Sequence, residues 1–97
     1  MPGRRCYFVY LLTNSSRRVL YTGVTRDLQR RVAQHRAGRG GAFTARYRVR
    51  HLVWFEAHEN PVSAILREKQ LKAGTRHRKL ALIQAMNPTW RDLWEEL

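Results

Sequence analysis

The hydrophobic pattern of the chain moves between two periods. Residues 6–13, CYFVYLLT, are apolar, aromatic or β-branched almost throughout, the pattern of a buried strand. After the polar turn NSSRR, residues 18–24, RVLYTGV, read as a second strand, and the short link makes the pair an antiparallel hairpin. The period then lengthens. Asp27 can cap a helix whose buried stripe is marked by Leu28 and Val32, and Gly38 stops it after about Ala37. At about 100° per residue, His35 falls about 20° and Arg31 about 60° from Leu28, whereas Arg30 points about 160° away. Arg31 and His35 should therefore edge the face that meets the sheet, with Arg30 in solvent.

Gly38–Arg50, GRGGAFTARYRVR, reads as a glycine- and arginine-rich loop, and residues 51–58, HLVWFEAH, as a third strand. Asn60-Pro61 is a helix start, with Asn as cap and Pro at the first position. That helix, VSAILREKQLKA, stops at Gly74, and TRHRKLALIQAM forms another. NPTWRDLWEEL closes the chain with a Pro-initiated turn. No internal repeat or linker interrupts the pattern. The expected fold is one α+β domain over residues 1–97, a small three-stranded, mostly antiparallel sheet flanked by helices in the order β-β-α-β-α-α.

Charge turns this pattern toward a function. Against 7 Asp+Glu stand 19 Lys+Arg, giving +12 at neutral pH and a pI near 11.4. Such a field attracts polyanions. Arg supplies 16 of the 19 cations, and its planar fork matches phosphate oxygens. The loop presents Arg39, Arg46, Arg48 and Arg50 with Phe43 and Tyr47 interleaved, so that cations can follow phosphates while rings stack on unpaired bases. The plainer alternative is a basic surface loop with buried aromatic anchors. The single cysteine, Cys6, allows no internal disulfide and no thiolate metal cluster, which fits a reduced, cytoplasmic setting. Arg4 and Arg5 before the apolar run faintly suggest a signal peptide. The run ends at Leu12 with no small-residue cleavage site, and no segment is long enough to span a membrane. His51, His58 and His77 have no metal-ligand spacing.

The ordered set Tyr10, Tyr21, Gly23, Arg31, His35 and Glu68, on a hairpin, the next helix and a later helix, resembles the GIY-YIG nuclease superfamily, in particular its small stand-alone bacterial members. The two tripeptides are Val9-Tyr10-Leu11 (or, one residue earlier, Phe8-Val9-Tyr10) and Tyr21-Thr22-Gly23. Phe8 stands where the first glycine would be, and Val9 and Thr22 replace isoleucines, at positions that are chiefly packing. The likeness runs from about Tyr7 to Leu93, with Asn87 near a position that is often polar in the superfamily.

The resemblance implies a metal-dependent endonuclease hydrolysing DNA phosphodiester bonds, with branched or single-stranded DNA in repair or recombination as the expected setting. Glu68 would hold one Mg²⁺ or Mn²⁺ ion, the rest of whose shell is water and phosphate. Tyr21 would activate or position water, and Tyr10 would hydrogen-bond in the same site. A phenol, with a pKa near 10, is a poor base at neutral pH, so Arg31, the metal or a phosphate relay would have to assist. Arg31 would hold the scissile phosphate, and His35 would accept a proton from Tyr21 or contact phosphate. Gly23 would let DNA approach closely, and Arg39, Phe43, Arg46, Tyr47 and Arg48 would bind it. Each residue also has a plain reading: strand aromatics, solvated charge, a core-edge histidine, a Glu68–Lys72 pair. The rival function is a non-catalytic module binding DNA or structured RNA.

Overall fold

The computed structural model describes residues 6–97; Arg4 and Arg5, ahead of the first apolar run, lie outside the described residues. Strand β1 (Tyr7–Thr13) is the centre of a three-stranded antiparallel sheet, flanked by β2 (Leu20–Thr25) and β3 (His51–His58) in the order β2-β1-β3. This position explains why β1 is apolar without alternation: both of its faces are covered. Val9 and Leu11 face Val53, Trp54, Ala64, Leu71 and Ile83, the side of helices α3 (Pro61–Ala73) and α4 (Arg76–Met86). Tyr10 and Leu12 face Leu28, Val32, Val49, Leu52 and Leu93, the side of helix α1 (Leu28–Arg36) and of the closing 3-10 turn (Leu93–Glu96). A bulge opposite Leu11 and Leu12 inserts Val53, which lets Val53 and Trp54 join the same core cluster.

The helix ends follow local chemistry. Asp27 accepts from Arg30 N at 3.1 Å, Asn60 from Val62 N at 2.7 Å and Thr75 from Arg78 N at 3.2 Å. Gly38 takes φ +78° after α1, and Arg39 N reaches back to Gln34 O at 2.8 Å, a Schellman closure. The second strand starts later than expected, at Leu20, because Asn14 Oδ1 accepts from Arg18 N and Val19 N and draws those residues into the turn.

The expected loop between α1 and β3 is not wholly a loop. Ala42–Arg46 forms a one-turn helix, α2, closed by Val49 N to Thr44 O at 2.9 Å, with Arg48 at φ +53° in the position usually held by glycine. Trp90 and Trp94 pack the end of the chain onto opposite faces of the sheet. Asp92 ties that end down. It accepts from Leu52 N at 3.2 Å and pairs with Arg36 at 2.7 Å, joining β3 to α1.

Candidate active site

The site begins with a missing side chain. In the β1–β2 register Tyr10 stands opposite Gly23, and the Tyr10 phenol lies where a Gly23 Cβ would be. Gly23 is thus spent on seating Tyr10 and is itself buried, so the open approach expected of it is filled from inside. The ring meets α1 on the other side. Tyr10 OH and His35 Nε2 are 3.1 Å apart, and His35 Nδ1 lies 3.0 Å from Thr44 Oγ1 on α2. The imidazole is fully buried and rests on the backbone of Gly40, where any Cβ would strike it.

Arg31 sits one turn before His35 and is half-buried. It donates through Nη1 to Gln34 Oε1 and through Nη2 to Gly40 O, both at 2.9 Å. Those two bonds hold the guanidinium against the loop while it also interacts with the phenols of Tyr10 and Tyr21. Burial works against its charge, but the phenols outweigh that and its pKa is raised. Burial pushes the Tyr10 phenol up to about 12, with Arg31 acting in the opposite direction. Burial, then the Arg31 charge, lowers His35 to about 4. At neutral pH Tyr10 is therefore protonated and His35 neutral. With both ring nitrogens hydrogen-bonded and the ring buried, His35 has no nitrogen free to meet a phosphate.

Tyr21 is the half-exposed phenol. Its ring is 6.4 Å from Tyr10 and 5.3 Å from His35. On its outer side Phe43 stacks at 6.3 Å and 28°, and Tyr47 follows 4.9 Å further on, with Arg46 over its ring at 5.4 Å. Phe43 and Tyr47 are 48% and 43% exposed, too open to be the buried anchors of the plainer reading. The rings form a shelf running from Tyr21 to the surface. Arg39 and Arg48 are exposed, and neither side chain has a hydrogen bond or ion pair among the described residues.

Glu68, on α3, is close enough for its charge to act on Tyr10. It pairs with Lys72 at 3.0 Å, and the contrast in exposure is telling: 13% for the Glu68 side chain against 53% for Lys72. The described residues contain no cluster of three or more His, Cys, Asp or Glu that could cage a metal. Asn87 is used structurally. It donates to Val53 O and Arg91 O and accepts from Arg91 N. His51 lies 3.7 Å from Asp92, His58 contacts Glu56 and Ser63, and Cys6 is half-buried just before β1.

Residues 6–81 match the GIY-YIG catalytic domain. The chain belongs to the GIY-YIG family. Relatives include UPF0213 proteins of Staphylococcus aureus strains Mu50 and N315, each 40% identical over 78 residues, which is 80% of this chain and 94% of theirs. Among solved structures, the solution NMR structure of the UPF0213 protein BH0048 from Bacillus halodurans is similar, with a TM-score of 0.55 and 28% identity over 90% of this chain and 92% of that one. The α+β arrangement is thus that of a small GIY-YIG domain, whose nuclease character implies a nucleic-acid substrate. No helix among the described residues is long and apolar enough to cross a membrane. Of the GIY-YIG departures, Thr22 is buried in place of isoleucine, and its hydroxyl has no partner.

Three contributors escaped the sequence reading: Gly40 beneath His35, Thr44 beside it, and Asp92 behind α1. Gly40 left a signal in the GRGG run, but nothing in that run says which glycine a ring will cover. Thr44 and Asp92 left none, because their roles depend on chain segments meeting.

Proposed function

We propose that this GIY-YIG protein is a metal-dependent endonuclease hydrolysing DNA phosphodiester bonds, and that it acts on unpaired strands such as those of branched or single-stranded DNA in repair or recombination. The observation that carries the reading is the convergence of Tyr21, Arg31 and the buried Tyr10–His35 pair at one place. Tyr21 is the phenol available to orient or deprotonate water. Arg31, fixed by Gln34 and Gly40, binds the scissile phosphate and offsets the charge that builds on it. Tyr10 and His35 form the floor that holds these groups.

Glu68 suits a single water-rich divalent ion: one shielded carboxylate, paired among the described residues with an exposed lysine that can turn away. When bound there, Mg²⁺ or Mn²⁺ would supply charge to compensate the leaving oxygen. Support for unpaired substrates comes from the Phe43–Tyr47 shelf beside Tyr21, since every base has a π-face to stack on it. Arg39, Arg46 and Arg48 along the same segment would contact the phosphates.

The test is cleavage of end-labelled duplex, single-stranded, flap, fork and four-way-junction DNA with Mg²⁺, Mn²⁺ or EDTA, beside Glu68→Ala and Arg31→Ala. Metal-dependent cleavage favouring substrates with unpaired nucleotides, and lost in both variants, is expected. Tight binding with no cleavage by the unaltered protein would overturn the enzyme reading in favour of a binding module.

A further inference from the structure

Thr44 lies between α2 and the buried floor of the site, and its hydrogen bonds have a direction. Its hydroxyl is 3.4 Å from Gly41 O, three residues back, the local bond that a helical threonine can make. The same oxygen is 3.0 Å from His35 Nδ1. If the hydroxyl hydrogen goes to Gly41, the oxygen is left to accept, and Nδ1 must carry the imidazole hydrogen. A neutral imidazole has only one such hydrogen, so Nε2 is then bare and accepts from Tyr10 OH at 3.1 Å. Arg31 agrees with this order. A guanidinium only donates, so a Tyr10 hydrogen aimed at Arg31 would be repelled, whereas a hydrogen aimed at Nε2 leaves the phenol oxygen to accept from Arg31.

We infer that Thr44 is a positioning residue: it fixes His35 in the Nδ1-protonated tautomer and thereby locks the Tyr10 hydrogen inward, from Tyr10 to His35 to Thr44 to Gly41. This deepens the nuclease reading, because it leaves Tyr21 as the only phenol of the pair whose proton faces the substrate side. The opposite order would free the Tyr10 proton and take the Thr44 hydrogen from Gly41. Because α2 also carries Phe43, the element that offers the stacking shelf is the one that sets the tautomer.

The tautomer can be read without any activity. Long-range ¹H–¹⁵N spectra of the imidazole rings at neutral pH, with His35 assigned by its loss in His35→Gln, should show Nδ1–H in the unaltered protein and in Thr44→Ser. Thr44→Val, isosteric but without an acceptor, should move to Nε2–H or to a mixture. An Nε2–H form in the unaltered protein, or an unchanged tautomer in folded Thr44→Val, overturns the inference. Should Thr44→Val fail to fold, the unaltered protein and Thr44→Ser decide the matter alone. Cleavage of a single-stranded oligonucleotide with Mg²⁺ gives a second readout. Thr44→Ser should keep the rate and Thr44→Val should lose about 10-fold or more at unchanged affinity. If none of the proteins cleaves, the nuclease reading fails while the spectra still settle the tautomer.

Discussion

Adding one methyl group at Gly23 tests how the site is assembled. A Cβ there would stand 2.8 Å from Tyr10 Cε1 and closer still to Cζ and the hydroxyl, so something must move. The ring has nowhere to go: Tyr10 is 1% exposed, bonded to His35 and flanked by Tyr21. Overpacking of this kind costs about 1–3 kcal/mol, and displacing the phenol from His35 adds about 1 kcal/mol. For a domain of this length each kcal/mol lowers Tm by about 4–8 °C, so Gly23→Ala should melt roughly 10–25 °C below the unaltered protein. The assay is a double-mutant cycle with Tyr10→Leu, followed by thermal melts and urea titration. In the Tyr10→Leu background the methyl meets no ring, and alanine in a strand is favoured over glycine by about 0.5–1 kcal/mol. The penalty should therefore vanish or change sign. A Gly23→Ala protein that melts with the unaltered one, or one that pays the same penalty without Tyr10, refutes the reasoning.

Three further outcomes are expected. Because the pKa of His35 is lowered to about 4 in the folded protein, from about 6.5 unfolded, the unfolded state binds the extra proton between those values. Stability should be full above about pH 6.5 and fall toward about pH 4. Urea titrations across that window should show the fall, and His35→Gln should flatten it; equal slopes in both proteins would refute the assignment. Phe43→Ala should weaken single-stranded oligonucleotide binding by about 1–3 kcal/mol at fixed salt, while Tm barely moves because the ring is half in water; undiminished affinity would remove the shelf from substrate binding. Thr22→Val deletes a buried hydroxyl that has no partner and should stabilise the domain by about 1 kcal/mol, seen as a raised urea midpoint; no gain would mean that the hydroxyl finds a partner.

Much of the fold was legible because its signals are local. The unbroken apolar run of β1 announced a buried strand, and Asp27, Asn60 and the Gly38 stop marked helix ends by chemistry carried in a few residues. Angular bookkeeping on α1 put His35 beside Leu28, and the imidazole is indeed fully buried, with Arg31 half-buried and Arg30 exposed. Helix α2 was not legible. Five residues complete too little of a helical period to register, and its closure relies on Arg48 in a left-handed conformation that sequence would assign to glycine. Gly23 was recognised but given the wrong neighbour, since only the strand register shows that Tyr10 fills the space above it.

That register also divides the labour of the two tyrosines. Tyr10 pairs with a glycine, so its ring can lean across β2 into the interior, where burial raises its pKa and His35 takes its hydroxyl. Tyr21 pairs with Leu12, stays half-exposed, and turns one side of its ring to Phe43 and the surface. A slip of β2 by one residue would send the Tyr21 ring to the opposite face of the sheet and leave Gly23 opposite a different side chain, so the roles cannot be exchanged by a small shift. The same geometry fixes the charge. Arg31 helps to keep His35 neutral, so the guanidinium is the cation of this cluster at neutral pH, with the Glu68 carboxylate as its counterpart on α3. Under the proposed reading, a phosphate arriving at Tyr21 would meet the Arg31 guanidinium, whose position is set by two hydrogen bonds, and beside it the one phenol of the pair that can face the solvent. Under the proposed nuclease reading, selectivity would follow from that asymmetry: the buried tyrosine would supply rigidity, and the half-exposed one would be left for the reaction.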